Sequence, residues 1–259
     1  MTLKLMIKNP NTPPILLTSA VKVSAPYTKL VDEKERVALT IESIEKWLFI
    51  DKNLRIVLCD GSGYDFSKIV SESFPGANIE CLYFNNNRDL VLAYGKGFGE
   101  GEIVQYAIDN SKHLRNSEYF AKCTSKLWVP NFFQLLVDWN GQLLCDCGFT
   151  FKNKYWATSF DYVDTKFYIV SKAFYLENLA RAHTNVRDHD GHSLEVCFRD
   201  EILTRKIGGV MFNHRPLYGG VSGSSATRYR ATNGFRDKIK YRIRRVLLTK
   251  NSRFEFLCQ

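Results

Sequence analysis

Apolar and polar positions follow two rhythms along this chain. Short unbroken apolar runs end at polar or glycine-rich breaks, and between them lie longer stretches in which apolar residues recur every three or four positions. The first rhythm marks strands buried on both faces, and the second marks helices lying across them. Ile15-Leu16-Leu17-Thr18-Ser19-Ala20 reads as the first strand, after a tail with Pro10, Pro13 and Pro14. Residues 33 to 50 carry Val37, Ile41, Ile44, Trp47 and Leu48 at helical spacing. A second strand, Ile56 to Cys59, delivers Asp60 to the break Gly61-Ser62-Gly63. Residues 15 to 60 therefore form one βαβ unit with Asp60 at its open edge, where ligands bind. The alternative for Asp60 is a carboxylate that caps the turn.

The same reading continues downstream. Ile79 to Phe84, before Asn85-Asn86-Asn87, supplies a third strand, and Gly95-Lys96-Gly97-Phe98-Gly99-Glu100-Gly101 reads as a glycine-rich loop leading into a helix from about 102 to 114. Glu118 to Thr124 is a strand that leaves through Ser125-Lys126 into Leu127-Trp128. Leu143 to Cys147 and Asp161 to Lys172 are further strands, the latter leading into a helix at about 173 to 182. Ser193 opens a helix with Leu194, Cys197, Phe198, Ile202 and Leu203 on one face. Phe235, Ile239, Ile243, Val246 and Leu247 follow helical spacing near the C-terminus, with Arg236, Lys238, Lys240, Arg242, Arg244 and Arg245 on the remaining faces.

Composition narrows the classes. At 259 residues with 45% hydrophobic and 14% aromatic content, the chain can bury a full core, which argues against disorder. A net charge of +9 implies an anionic partner, whether nucleic acid, an anionic membrane surface or a phosphorylated small molecule. Seven cysteines show no paired CxxC spacing, and Cys145 and Cys147 make only a CxC, so reduced buried thiols are expected over a zinc site. Neither a charged leader with an apolar core nor a bilayer-spanning run is found in the sequence, so a cytoplasmic protein is expected.

Several stretches carry candidate chemistry. Thr18 and Ser19 end the first strand, where a hydroxyl meets a ligand or satisfies loop backbone. Amides at a helix N-terminus favour phosphate and Lys96 adds charge, but no Gly-Lys-Ser/Thr closes a Walker loop. Gly220, Ser222 and Ser224 miss the hydrolase elbow; Gly219 to Ser225 is expected to close over a ligand, with Arg228, Tyr229 and Arg230 near phosphate, or else to be a simply flexible loop. The cluster Asp188-His189-Asp190-Gly191-His192 fits no structural zinc spacing and offers acids, bases or substrate contacts, or else a solvated loop.

A strand ending in Asp60-Gly61-Ser62-Gly63, a helix, and then Glu118-Tyr119-Phe120-Ala121 followed by Leu127-Trp128-Val129-Pro130-Asn131 together resemble the GT-A nucleotide-sugar glycosyltransferases related to family 2. The resemblance spans roughly 15 to 215 and rests on the order of degenerate motifs. It implies a single GT-A, Rossmann-like α/β domain: a mostly parallel central sheet flanked by helices, with a donor half at about 15–130 and an acceptor half at about 131–225. Residues 226–259 would form a basic amphipathic C-terminal segment. In that family the acid matched by Asp60 contacts the base, and the later strand ends in a metal-binding Asp-x-Asp. Here that place holds Cys123-Thr124-Ser125-Lys126, with Lys122 just before. Ammonium groups and hydroxyls can offset diphosphate charge themselves. The expected donor-binding set is therefore Thr18, Ser19, Asp60, Lys96, Lys122, Ser125 and Lys126, with no residue assigned to a metal, no cofactor expected, and a divalent ion left open.

The family's acceptor half carries its general base in the first turn of a helix, a place matched here by Glu195. An acid after the N-cap Ser193 is also an ordinary helix start. Asp188, His189, Asp190 and His192 are the candidate acceptor contacts. The implied activity is inverting transfer of a sugar from a nucleotide-sugar to a glycan or lipid-linked acceptor, in bacterial O-antigen, lipopolysaccharide or capsule assembly. The basic helix at 235–248 would meet the anionic inner face of the cytoplasmic membrane, or else pack on the core. A nucleic-acid-binding protein is the competing class, opposed by basic residues concentrated at the C-terminus and the lack of an RNA-binding sheet signature. A nucleotidyltransferase is the third, opposed by the missing acid pair.

Overall fold

A computed structural model of the chain describes residues 12–26, 28–152, 156–231 and 235–258, the side chains of Phe235 and Arg236 excepted; Pro10 lies outside them. Strand β1 (Ile15–Ser19) leads through helix α1 (Glu33–Ile50) to β2 (Ile56–Asp60), and α2 (Ser67–Ser73) precedes β3 (Ile79–Tyr83). Helices α3 (Arg88–Tyr94), α4 (Lys96–Asn110) and α5 (Lys112–Arg115) lead into β4 (Tyr119–Thr124). Then come β5 (Leu127–Trp128), α6 (Phe132–Leu136), the strands β6 (Leu143–Lys152) and β7 (Trp156–Ser171), α7 (Lys172–Phe174) and α8 (Leu194–Arg205). Strands β8 (Gly219–Val221) and β9 (Arg228–Tyr229) precede the last α-helix, α9 (Phe235–Thr249).

The central sheet has the order β3-β2-β1-β4-β7-β6. Its first four strands are parallel, while β7 runs antiparallel to β4 and β6 antiparallel to β7. Alternation along the parallel strands builds two cores. Leu16, Val57 and Cys59 face α4 and α8, while Ile15, Leu17, Ile56 and Leu58 face Ile44 and Trp47 of α1. This is the mostly parallel, Rossmann-like α/β architecture expected from the sequence. The chain steps outward from β1 to β2 and β3, and later returns to place β4 on the other edge of β1. That reversal opens a crevice above the carboxyl ends of β1 and β4, the place where open α/β sheets bind ligands.

Helix α1 spans the expected residues, and Asp32 caps it by accepting from the Glu35 N–H at 2.7 Å. The stretch Gly95 to Gly101 is different: it is not a loop, because α4 begins at Lys96. All four of its glycines lie where a Cβ would collide, Gly95 against Asp188, Gly97 against Leu194, Gly99 against Asn86 and Gly101 against His183. Close packing, not loop freedom, explains them. The expected helix at 173–182 is broken into α7, a π turn at Tyr175–Leu179 and a 3-10 turn at Ala182–Asn185.

Among the described residues, no helix is long and apolar enough to cross a membrane. Helix α9 turns Tyr241 and Leu248 into the protein, where the Tyr241 hydroxyl donates to the Phe212 carbonyl at 2.9 Å. Of the apolar stripe read from the sequence, Ile239, Ile243 and Val246 are exposed and Leu247 is half-buried, and the side chain of Phe235 lies outside the described ones.

Candidate functional site

Parallel register sets the site. Ser19 is level with Asp60, and Thr18 with Thr124, so three strand ends meet at one edge. Above them lies a cavity of about 590 Å³. Its floor comes from Thr18, Ser19 and Lys126, one wall from Lys96 and Glu100 of α4, and the opposite side from Arg36 of α1. Glu195, in the first turn of α8, and Thr165 and Lys166 of β7 complete it. The hairpin between β8 and β9 forms a roof through Ser222, Gly223 and Ser224.

Glycine is required in that roof. Gly220 has φ +106°, and a Cβ there would stand 2.1 Å from the Lys126 carbonyl oxygen. The hairpin can therefore lie directly on the Lys126 segment, where the Val221 N–H donates to Lys126 O at 3.1 Å. The Lys96 ammonium reaches across the cavity to Ser224 Oγ at 3.0 Å, tying α4 to the roof.

Lys22, Arg36, Arg88, Lys96, Lys126 and Lys166 line the cavity against two carboxylates, Glu100 and Glu195. Glu100 is already engaged by the buried Lys122 ammonium beneath it. Lys126 is 2% exposed, and its ammonium has only Ser125 Oγ at 3.4 Å as partner; among the described residues no carboxylate pairs with it. Burial and the neighbouring Arg36 push its pKa down to about 7, with Asp60 and Glu100 pulling the other way. Arg36 is buried too and donates from Nε to Ala20 O and from Nη1 to Leu30 O, both at 2.7 Å, which fixes the segment leaving β1. Two cavity-wall residues have buried oxygens without partners, Thr18 Oγ1 and Asn86 Oδ1. Unsatisfied buried groups of this kind call for a ligand or water.

Glu195 accepts from Thr165 Oγ1 at 3.2 Å. Burial raises its pKa, but the Lys96 charge and hydrogen bonds from Ser193, its own N–H and Thr165 outweigh that and hold it below the ordinary glutamate value. It is an ionised carboxylate at neutral pH.

Of the candidates read from the sequence, Thr18, Ser19, Lys96, Lys126 and Glu195 converge on this one cavity. The others lie beneath or beside it. Asp60 is fully buried and takes the N–H groups of Val21, Ser62 and Tyr64 together with the Ser62 hydroxyl, at 2.6 to 3.1 Å. That is a turn-holding carboxylate, the alternative noted above. Lys122 is wholly buried and donates to Glu100 and, at 2.7 Å, to Thr165 O. Ser125 is buried against Thr40 Oγ1 at 3.3 Å. Asp188 lies under the start of α4, receiving the N–H groups of Lys96 and Gly97; burial raises its pKa, with Lys96 opposing and Glu195 adding to the rise. His189 pairs with Asp190 at 3.3 Å and His192 with Asp200 at 3.7 Å, outside the cavity. Tyr229 and Arg230 line a second cavity instead, described below.

Arg36, Glu100, Thr165 and Lys166 were not picked out from the sequence. Arg36 left a signal: Arg36, Thr40 and Ser43 fall on the same helical face as Ile44 and Trp47, and all five are buried. Of that polar stripe Arg36 reaches the cavity, while Thr40 donates to Arg36 O and Ser43 to Leu127 O.

No protein-family model matches the chain, and no curated protein matches it. Among solved structures it is similar to HddC from Yersinia pseudotuberculosis, at 12% identity over 81% of this chain and 93% of that one, with a TM-score of 0.45. It is similar to the bifunctional glycosyltransferase WbbM at 11% identity over 89% of this chain and 44% of that one, TM-score 0.49. It is also similar to the inositol-1-phosphate CTP transferase of T. maritima, at 11% identity over 90% and 96%, TM-score 0.46. What it binds must be read from its own cavity.

An anion seated on Lys126 restores the proton that burial removes. Sulfate carries no titrating proton near neutrality, so calorimetric titration at pH 8 in two buffers of different ionisation enthalpy should show uptake of up to about one proton. Lys126→Met should abolish that uptake and weaken sulfate binding by roughly tenfold or more. Without ligand the sign is opposite for folding: the unfolded lysine keeps its proton while the folded one loses it, so this group makes stability rise with pH from about 7 toward 10.5. Binding with no proton uptake would show that Lys126 does not hold the anion.

Proposed function

We propose that the chain is a glycosyltransferase that moves a sugar from a nucleotide-sugar donor to a glycan acceptor. The observation that carries this reading is the buried, carboxylate-free Lys126 at the floor of a strongly basic cavity at the sheet's switch point. A lone ammonium in a dry site is costly, and a diphosphate is the ligand class that offsets it. In this reading the donor half, 15–130, places Lys126, Arg36 and Lys96 around the diphosphate, with the Thr18 hydroxyl as a further donor. Asn86 Oδ1 accepts from the nucleoside. Asp60 shapes the loops at this edge through its hydrogen bonds to Val21 and Ser62.

Chemistry follows from charge. As the bond between the sugar and the diphosphate breaks, negative charge develops on the leaving group, and Lys126 and Arg36 stabilise it. In the acceptor half, 131–225, Glu195 accepts the proton of the attacking hydroxyl, which makes the enzyme inverting. Positive side chains stand where a metal-binding acid pair would be. Among the described residues, no group of three His, Cys, Asp or Glu side chains is arranged to hold a metal. In this reading the protein's own cations neutralise the diphosphate. The acceptor is taken to be lipid-linked, in bacterial surface polysaccharide assembly, because α9 within the segment 226–259 presents Ile239, Ile243 and Val246 outward with exposed Lys238, Lys240 and Arg242 nearby. An apolar stripe among basic residues suits the anionic inner face of the cytoplasmic membrane.

Thermal stabilisation across nucleoside diphosphates, nucleotide-sugars and nucleoside triphosphates, with excess chelator and then with magnesium or manganese, tests the reading. The expected outcome is stabilisation by one diphosphate or its sugar, undiminished by chelator. Preference for a triphosphate with strict magnesium dependence would replace it with nucleotidyl transfer, and a response to oligonucleotides alone would overturn it. Glu195→Gln should lower kcat by about 10²–10⁴-fold with donor affinity retained. Because the Glu195 pKa is depressed, its acid limb in kcat should fall below the ordinary value of 4.5, leaving neutral pH on the plateau. Cosedimentation should show binding to anionic vesicles over neutral ones, weakened about tenfold by Ile243→Glu; equal binding to both would remove the membrane assignment.

A further inference from the structure

A second cavity, of about 400 Å³, adjoins the first across β7. Thr165 and Lys166 line the first cavity, and Asp164 and Lys166 line the second, so Lys166 belongs to both. The far walls come from the loop carrying Arg215 and from Lys240 and Arg244 of α9. None of the residues identified above as the donor cradle lies here.

The second cavity has two chemical characters. It is aromatic: Tyr162, Tyr218, Tyr229 and Tyr241 line it, with the rings of Tyr218 and Tyr229 at 5.8 Å and tilted by 52°. The Lys166 ammonium stands 5.4 Å from the first ring centre and 6.0 Å from the second. Tyrosine rings beside hydrogen-bonding side chains suit the mixed apolar and hydroxylated surface of a sugar. It is also cationic. Asp164 is taken by Lys166 at 2.8 Å and by the Tyr218 hydroxyl at 3.3 Å. Asp146 accepts the Cys147 N–H at 3.0 Å. Asp237 lines the cavity as well, and burial and Asp164 raise the Asp146 pKa while the Arg244 and Arg215 charges oppose the rise. Among the described residues, Arg215, Lys240 and Arg244 stand within ion-pair distance of no carboxylate.

Arg215 and Lys240 are exposed, the first on a clamped loop, whereas Arg244 is held in place. The Asn131 side chain clamps the Arg215 loop, donating to Arg215 O at 3.0 Å and accepting from the Leu217 N–H at 2.9 Å. Arg244 lies over the Phe149 ring at 5.1 Å and donates to Cys147 O, yet its Nε is buried without any partner. A buried guanidinium donor left open in a cationic cavity calls for an anionic acceptor atom.

We infer that the second cavity binds a sugar bearing a phosphate or carboxylate group, its ring among the tyrosines and its anion on Arg215, Lys240 and Arg244. Calling this ligand the acceptor rests on the transferase reading; its binding does not. In that role it sits on the other side of Thr165, whose hydroxyl bonds to Glu195, so a hydroxyl of the bound sugar passes Lys166 to reach the base.

The test is saturation-transfer NMR on the full chain with glucose 6-phosphate, glucuronic acid and glucose, with and without saturating pyrophosphate to fill the first cavity. At least one charged sugar should bind about tenfold or more tightly than glucose, with pyrophosphate present or absent. Preference for glucose 6-phosphate names a phosphate, and preference for glucuronic acid a carboxylate. The double variant Arg215→Gln, Lys240→Gln should lose that preference and keep its melting temperature and its pyrophosphate binding. Equal binding of charged and neutral sugars, displacement of the charged sugar by pyrophosphate, or an unchanged preference in the double variant would overturn the assignment. Failure of nucleotides to bind would sink the transferase reading but leave these outcomes readable.

Discussion

Strand β1 is hydrogen-bonded along both edges, to β2 and to β4, and both pairings are parallel. This constraint governs the rest of the molecule. Parallel pairing brings the strand ends to one edge, and because the next connections leave in opposite directions, the edge opens into a crevice. Each chain leaving that edge must also be turned and held. Asp60 does much of this: it receives a donor from beyond β1, at Val21, and two backbone donors from its own turn, at Ser62 and Tyr64. A fully buried carboxylate survives there because every donor aimed at it comes from the chain itself.

Two lysines four residues apart show how the edge sorts charge. Lys122 lies within β4 and points to the side covered by α4, where Glu100 and the Thr165 carbonyl satisfy it. Lys126 follows the strand, meets no carboxylate, and lies against Arg36 and the β8–β9 hairpin. The first is an internal ion pair. The second has no carboxylate partner, and its depressed pKa is the expected signature of that burial.

Glycines in α4 and in the roof serve one purpose, the close approach of backbones. Gly95, at φ +110°, and Gly97 allow the start of α4 to settle on Asp188 and Leu194. That brings Lys96 near Glu195 and Ser224. Gly220 and Gly223 let the hairpin descend onto Lys126. Both carboxylates that line the cavity are thereby matched to a lysine, Glu100 to Lys122 and Glu195 to Lys96. Lys126 is a buried cation of this cavity that no carboxylate pairs among the described residues.

The sequence alone determined the strands from 15 to 124, the helix at 33–50 and the basic helix at the C-terminus, because alternation and helical spacing record whether a segment is covered on one face or two. Thr18, Ser19, Lys96, Lys126 and Glu195, named from the sequence as candidates, line one cavity, each at or beside the end of a strand or in the first turn of a helix, where side chains must leave the core. Tertiary structure decided what those patterns do not encode. A glycine run reads alike as a loop or as a tightly packed helix, and only the neighbours Leu194, Asn86 and His183 distinguish them. The stripe of α9 reads alike as a core face or an outward one, until Tyr241 is seen to take the inward side. Arg36, Glu100 and Lys166 join the site from α1, α4 and β7, and their convergence depends on register and crossover. Local sequence fixes which way a side chain alternates, while its partner comes from a strand or helix far along the chain.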